Sequence, residues 1–135
     1  MRNHEGELVF AISFPVIASS SVEAEILSII LATTYAIQIG FSDFLVESDS
    51  TVALSYILEG GRGRWMDAIK EMILISFRKS ISFGSVMREG NWAAHHLAAQ
   101  SITQWQFFQR ACDLPGPVKQ AYYADYFGLS NFRYN

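Results

Sequence analysis

The sequence predicts an α/β fold in which helices flank a mixed sheet. Short apolar runs typical of strands alternate with longer segments of helical periodicity, in the order strand, helix, strand, helix, helix, strand, helix. Half of the 135 residues are hydrophobic and 17% are charged, a composition typical of a packed core and opposite to that of disordered chains. The length suits one main domain.

The chain is predicted to open with a strand and a buried helix. The strand covers residues 7–15, an aliphatic and aromatic run that ends at a proline. The helix covers residues 22–39. Ser20 stands three residues before Glu23, the spacing of a capping box, and Gly40 ends the helical run. Because this segment is apolar on almost every side, we expect the helix to be buried.

A second strand is predicted in the segment DFLVESD, residues 43–49. Its apolar run has polar ends, as in a central parallel strand that is covered on both faces. Asp49 or Ser50 is expected to cap a second helix that continues to about Leu58. The glycine-rich residues 60–63 then form a loop, because a helix does not tolerate such a cluster.

A third helix is predicted from apolar residues at spacings i, i+3, i+4 and i+8, which share one helical face. A strand over residues 81–87 follows. Asn91 is then expected to cap a fourth helix over residues 92–108. The apolar face of the third helix consists of Ile69, Met72, Ile73 and Phe77.

The end of the chain differs in composition from the rest. Prolines and a glycine within residues 113–117 end the fourth helix. Residues 118–135 are rich in aromatic side chains, so we expect this tail to pack on the domain or on a partner. The predicted organisation is therefore a domain at residues 1–112 and an aromatic C-terminal tail at residues 113–135.

Two segments carry short motifs in a characteristic order. Residues 24–50, AEILSIILATTYAIQIGFSDFLVESDS, open a long helix with AE and end a strand with VESDS. Residues 86–102, VMREGNWAAHHLAAQSI, open the last helix with REGN. Together they resemble the plant ribonuclease H-like domains related to retroelement reverse transcriptases. The resemblance covers about residues 1–112 and implies a ribonuclease H-like fold.

The same resemblance implies that one strand is missing. In ribonuclease H-like folds the opening strand lies in the middle of the sheet, and here it would precede Met1. The chain is therefore expected to be truncated at its N-terminus and to lack the opening central strand. A strand beside the gap would present unpaired N–H and C=O groups, which invite another strand. Three outcomes are open: the sheet closes up, the tail near residues 131–135 folds into the gap, or another chain donates a strand.

The resemblance also implies an incomplete catalytic site. Active relatives use four carboxylates to hold two Mg²⁺ ions about 4 Å apart. Glu25 and Asp49 match the second and third carboxylates, whereas the first belongs to the absent strand and His95 stands in the position of the fourth. Because two carboxylates hold a pair of hard cations weakly, no cofactor is expected.

Each of these three residues also has a simpler interpretation. Glu25 can be an acid in the first turn of a helix, where the helix dipole favours it, and Asp49 can be a helix cap. His95 and His96 diverge on a helix, so they cannot chelate one ion together. A further alternative is a single zinc or other transition-metal ion, held loosely by Glu25, Asp49 and His95.

Basic residues are concentrated in one segment, although the net charge of the chain is −3. Residues 62–88 contain six basic and two acidic residues. Scattered charges of this kind form an ordinary solvated surface more often than a binding site, so any nucleic-acid binding is expected to be weak and sensitive to salt. The candidate nucleic-acid-binding residues are Arg62, Arg64, Arg88, Asn91 and Trp92.

The leading functional prediction is a catalytically degenerate module for protein interaction. It would bind a second copy of itself or a protein partner through the exposed sheet edge, by β-augmentation. A mean hydropathy of +0.16 favours such association. The alternative is an RNA–DNA hybrid ribonuclease that depends on Mg²⁺ or Mn²⁺, or a protein that binds nucleic acid.

Composition also bears on location. Cys112 is the single cysteine, so no intrachain disulfide can form and an intracellular location, in the cytoplasm or nucleus, is expected. Residues 26–42 carry no charge, but they are shorter than the roughly 20 apolar residues of a membrane helix. No association with a membrane is expected.

Overall fold

The computed structural model describes residues 1–61, 63–99 and 103–126. The chain divides into two compact units. Unit 1 contains Met1–Pro15 and the chain from Met87 onward, and unit 2 contains Val16–Val86. The elements are β1 Ala11–Ser13, α1 Ser21–Gln38, β2 Asp43–Ser48, α2 Thr51–Leu58, α3 Met66–Arg78, β3 Ser80–Ser85, α4 Trp92–Ala98, β4 Gln106–Phe108 and α5 Gly116–Tyr126. This order confirms the predicted α/β class.

Helix α1 begins where the capping motif predicted. The hydroxyl of Ser20 accepts a hydrogen bond from the backbone N–H of Glu23 at 3.1 Å. The Glu23 carboxylate in turn accepts hydrogen bonds from the backbone N–H of Ser19, at 3.1 Å, and from the Ser19 hydroxyl. These bonds satisfy donors that have no partner within the helix, so they hold its first turn in place.

The core of unit 2 is made by α1, α2 and α3. Ala53, Ile57 and Ile69 are fully buried there. Val46 of β2 and Phe83 of β3 pack against the same cluster, so the three helices cover one face of the sheet. The remaining members of the cluster are Ile26, Ile29, Ile30, Leu54 and Met72.

Strand β2 is parallel to β3, as predicted, but the two-sided burial that was predicted for it is wrong. Asp43, Leu45 and Glu47 are exposed, whereas Phe44 and Val46 are half-buried. Within the described residues β3 is the only strand that pairs with β2. An apolar run of three residues does not distinguish a strand covered on both faces from one covered on a single face, because both contain it.

The predicted apolar face of α3 needs one correction. Ile69 and Met72 are buried, but Phe77 is 90% exposed and Ser76 is buried in its place. Successive residues turn by about 100° around a helix, so position 76 returns to the direction of Ile69 and position 77 lies about 80° from it. The Ser76 hydroxyl donates to the carbonyl of Met72 at 2.7 Å, which satisfies it in the core.

The two strands of unit 1 are short and antiparallel, with Ile12 opposite Phe107. Strand β1 covers only Ala11–Ser13 of the predicted residues 7–15, because the preceding residues pair with the N-terminal residues instead: Arg2 and Leu8 form an antiparallel bridge, and the N–H of Val9 donates to the carbonyl of Met1 at 2.9 Å. Ring stacking extends the pairing, since the rings of Phe14 and Trp105 lie 4.9 Å apart.

The helix predicted over residues 92–108 is wrong at its C-terminal end, whereas its residues 100–102 lie outside the described residues. Helix α4 ends at Ala98, and Gln106–Phe108 form β4. Pairing with β1 places these residues in a strand, so a distant contact overrides the local helical pattern. Asn91 also makes no side-chain capping bond, because a 3₁₀ turn at Arg88–Asn91 precedes the helix.

Helix α5 packs within unit 1. Val118 and Tyr122 form a buried cluster with Ala11 and Leu114. The Tyr122 hydroxyl accepts a hydrogen bond from the backbone N–H of Leu8 at 2.9 Å. The division predicted at residue 112 stays a prediction, and residues 127–135 of the predicted tail lie outside the described residues.

In the described part of the chain, no helix combines the length and the apolar character needed to cross a bilayer.

We expect Ile57→Ala to destabilise the fold far more than Leu58→Ala, although both changes lie in the last turn of α2. Ile57 is fully buried and Leu58 is 61% exposed. Truncating the buried side chain leaves a cavity and should lower the free energy of unfolding by about 2–5 kcal/mol, against about 0.5 kcal/mol at the surface. Urea unfolding of the two variants measures both losses of free energy. Equal losses would contradict the description of this core.

Candidate functional site

The two carboxylates expected at a metal site both lie in unit 2. Glu25 is half-buried in the second turn of α1, so the first-turn acid of this helix is Glu23 rather than Glu25. Asp49 is half-buried between β2 and α2. It is not the cap of α2, because the hydroxyl of Ser50 accepts the bond from the Ala53 N–H at 3.2 Å.

His95 lies in unit 1, on α4, within a group of rings. The Trp92 ring meets the edge of His95 at 5.4 Å between centroids and stacks on His96 at 5.6 Å. The two imidazoles are 5.8 Å apart and nearly perpendicular. The prediction that the adjacent histidines cannot chelate one ion together stays a prediction.

The donors in the described residues do not fit a pair of Mg²⁺ ions. Among those residues, no group of three or more His, Cys, Asp or Glu side chains is arranged to hold a metal ion. Glu25 and Asp49 belong to one unit and His95 to the other. Mg²⁺ requires near-octahedral oxygen coordination, which a histidine does not supply, so the set of Glu25, Asp49 and His95 does not fit a pair of these ions.

Arg64, a candidate for nucleic-acid binding, is already engaged within unit 2. Its guanidinium lies 5.0 Å from the centroid of the Trp65 ring. Its Nη1 atom is 3.9 Å from Oε1 of Glu23, a side chain that is only 16% exposed. A phosphate would have to compete with both contacts. The arginine therefore joins the 3₁₀ turn before α3 to the beginning of α1.

Hydrogen bonds at this junction lower the pKa of Glu23 below its ordinary value. The bond from the Ser19 hydroxyl contributes most, and the Ser19 backbone N–H adds to it. Desolvation opposes these two bonds as the third-largest effect, and the Trp65 side chain and the positive charge of Arg64 lower the pKa by smaller amounts. The ionised form of Glu23 is therefore the form that holds the start of α1.

The other candidates for nucleic-acid binding lie elsewhere. Arg88 and Asn91 belong to the 3₁₀ turn of unit 1, directly before Trp92 at the start of α4. Arg64 is in unit 2, and Arg62 lies outside the described residues. The basic patch stays a prediction.

The backbone of β2 has a second edge that β3 does not use. The carbonyl of Ser42 accepts a hydrogen bond from the N–H of Ser80 at 2.9 Å, and the carbonyl of Ser48 accepts one from Val86 at 3.0 Å. In a parallel ladder the residues that face the neighbouring strand alternate, so the even-numbered residues of β2 face β3. The N–H and C=O groups of Asp43, Leu45 and Glu47 therefore point to the opposite edge.

The same three residues also form the open face of the sheet. Leu45 is 55% exposed, between the exposed Asp43 and Glu47. The facing positions of β3 are small: a Cβ at Gly84 would come within 3.6 Å of the Leu45 side chain. We call Asp43, Leu45 and Glu47 the acidic edge. The sequence predicted an exposed sheet edge by resemblance, but one signal for an open face was missed: the two charges of DFLVE stand four positions apart and so fall on the same face of a strand.

Comparison with known protein families shows to which family the chain belongs. A sequence profile described as reverse transcriptase-like matches residues 1–101. The chain belongs to the reverse transcriptase-like family. The matched residues contain β2 and the motifs VESDS and REGN, which supports the ribonuclease H-like fold of this reverse transcriptase-like domain. No curated protein matches the chain significantly, and no solved structure does.

We expect Glu23→Gln to destabilise the reverse transcriptase-like domain in a pH-dependent way. Because the pKa of Glu23 is lowered on folding, its stabilising effect is complete above the pKa of the unfolded carboxyl and is lost as the pH falls through the folded pKa. The variant should therefore differ most from the wild type at neutral pH, and the two should converge in acid. Thermal unfolding over a pH series measures this.

The control for that experiment is Glu71→Gln, which removes an exposed carboxylate from α3 of the same unit. It should lack the pH dependence seen at Glu23. A destabilisation by Glu23→Gln that is equal at neutral and acidic pH would show that the ionised carboxylate does not hold the helix.

Proposed function

We propose that this reverse transcriptase-like domain is catalytically degenerate and acts as a protein-interaction module, which accepts a strand of another polypeptide along the acidic edge. The observation that carries the proposal is the geometry of β2. Asp43, Leu45 and Glu47 direct their backbone groups away from β3. No hydrogen bond joins these groups to another strand in the described part of the chain. Such an edge is a template for β-augmentation.

The strength of such binding depends on more than backbone pairing. A hydrogen bond contributes about 0.5–1.5 kcal/mol net, because the same groups bond to water before pairing. A strand of three paired residues therefore needs side-chain contacts to bind well. Leu45 supplies an exposed apolar surface at the centre of the edge. Short edges of this kind suit reversible interactions.

The proposal that catalysis is lost rests on the donor chemistry. By the resemblance, His95 stands where active relatives have an aspartate, and a neutral imidazole does not replace the charge of a carboxylate near Mg²⁺. The resemblance further suggests a plant domain derived from a retroelement. The exposed thiol of Cys112 is compatible with a reducing compartment, so we place the domain in the cytoplasm or nucleus.

The first test is RNA cleavage in an RNA–DNA hybrid, with Mg²⁺ or Mn²⁺ supplied. We expect the rate of RNA cleavage with the domain to equal the rate in buffer alone, and Asp49→Asn to change nothing, since His95 does not supply the charge of the fourth carboxylate. Gel analysis of a labelled RNA strand measures cleavage. Metal-dependent cutting that Asp49→Asn abolishes would establish the alternative, a hybrid ribonuclease.

The second test is a proline at the centre of the acidic edge. Leu45→Pro removes an N–H that points away from β3, so the ladder with β3 is kept while the edge loses a donor. The probes are three heptapeptides of the form Thr-X-Thr-Val-Thr-X-Thr, in which X is Lys, Ser or Glu. We expect at least one of these peptides to bind and to slow amide exchange at Asp43, Leu45 and Glu47. Leu45→Pro should abolish that binding.

Leu45→Ala is the matched control, because it shortens the same side chain and keeps the N–H. It should weaken binding without abolishing it. Light scattering after size exclusion, at several concentrations, tests for pairing between copies of the domain. If none of the peptides binds at the edge and the domain stays monomeric, the proposed function is wrong.

A further inference from the structure

We infer that the strand accepted by the acidic edge carries two basic residues four positions apart with an apolar residue midway, and that it comes from a different polypeptide rather than from a second copy of this chain. This inference rests on the proposed function and specifies its partner. It follows from the side chains of the edge, whereas the proposed function follows from the backbone.

Within the residues that the structure describes, the two carboxylates of the edge form no ion pair. Asp43 and Glu47 are exposed, and the register places Ser80 and Gly84 of β3 beside them. Neither carboxylate forms an ion pair with any residue that the structure describes. An incoming strand would lie on the other side of β2, where its side chains alternate between the two faces of the sheet.

The alternation sets the pattern of the incoming strand. Residues at i, i+2 and i+4 of that strand share the face on which Asp43, Leu45 and Glu47 lie. Opposite charges in neighbouring strands stabilise the pairing, so Lys or Arg is favoured beside each carboxylate. Between them, an apolar side chain would cover Leu45, which is 55% exposed. The resulting pattern is basic, any, apolar, any, basic.

A second copy of the chain does not supply this pattern. When two copies of β2 pair antiparallel with full overlap, Asp43 of each lies opposite Glu47 of the other. Like charges in that position destabilise the pairing. Elsewhere in the chain, no two of the ten lysines and arginines are four positions apart. Nucleic acid is disfavoured as well, because its phosphates carry the same sign of charge as the edge.

The heptapeptides described above test the inference when their affinities are compared. With the wild-type domain, the Lys peptide should bind about fivefold more tightly than the Ser peptide, and the Glu peptide should bind most weakly, because two cross-strand charge pairs of about 0.5 kcal/mol each correspond to that ratio. The advantage of the Lys peptide should shrink as the salt concentration is raised. Fluorescence polarisation of labelled peptides measures all three affinities.

Two charge variants identify the residues responsible. Asp43→Asn combined with Glu47→Gln should make the Lys and Ser peptides bind equally. Asp43→Lys combined with Glu47→Lys should reverse the order, so that the Glu peptide binds best. The matched control is Asp67→Asn combined with Glu71→Gln. It removes two exposed carboxylates at the same spacing from α3 and should leave the order of affinities unchanged.

The outcomes separate the two proposals. The expected result is that the wild-type domain prefers the Lys peptide, that the variants of Asp43 and Glu47 lose this preference, and that the control variant keeps it. If all three peptides bind equally and Leu45→Pro still abolishes binding, the basic pattern is wrong but the proposed function holds. A wild-type dimer that Leu45→Pro dissociates overturns the inference that the partner is a different chain. Absence of binding by every peptide, with a monomeric domain, overturns the proposed function itself.

Discussion

The parallel ladder between β2 and β3 is the constraint on which the rest of unit 2 depends. Its register places Val46 beside Phe83, and the face that they share packs on the apolar cluster of the three helices. A slip of one residue would turn Asp43 and Glu47 toward that cluster, at a high cost in desolvation. The same ladder uses the backbone groups of the even-numbered residues. The buried core and the acidic edge are therefore two results of one register.

Side-chain chemistry at the start of α1 shows how a surface arginine can be structural. Glu23 accepts bonds from Ser19, and Arg64 lies near both Glu23 and the Trp65 ring. The arginine is 76% exposed, so its charge interacts through a partly screened medium. The structural role of this arginine is to join two segments that are distant in sequence. A basic residue beside a tryptophan is thus poor evidence for nucleic-acid binding until its neighbours are known.

In this member of the reverse transcriptase-like family, one short segment carries both the family motif and the proposed binding edge. Asp49 directly follows Ser48, the last residue of β2, so a strand bound along β2 would end near this carboxylate. Exposed carboxylates such as those of Asp43 and Glu47 can attract the side chains of lysine or arginine. That recognition requires single charges at the spacing of a strand rather than several oxygens around one point.

The sequence by itself determined the capped start of α1, because that cap depends on neighbours within a few residues, and the order of its apolar runs determined the α/β class. It also suggested the family, through VESDS and REGN. The parallel pairing of β2 depends on Ser80–Ser85, which lie far along the chain. Tertiary structure decided the rest: Gln106–Phe108 became a strand only by pairing with β1, and Phe77 is exposed because Ser76 faces the core. The open face of β2 was likewise decided by which side the helices cover. Local patterns record what a segment can form, whereas burial depends on residues far along the chain.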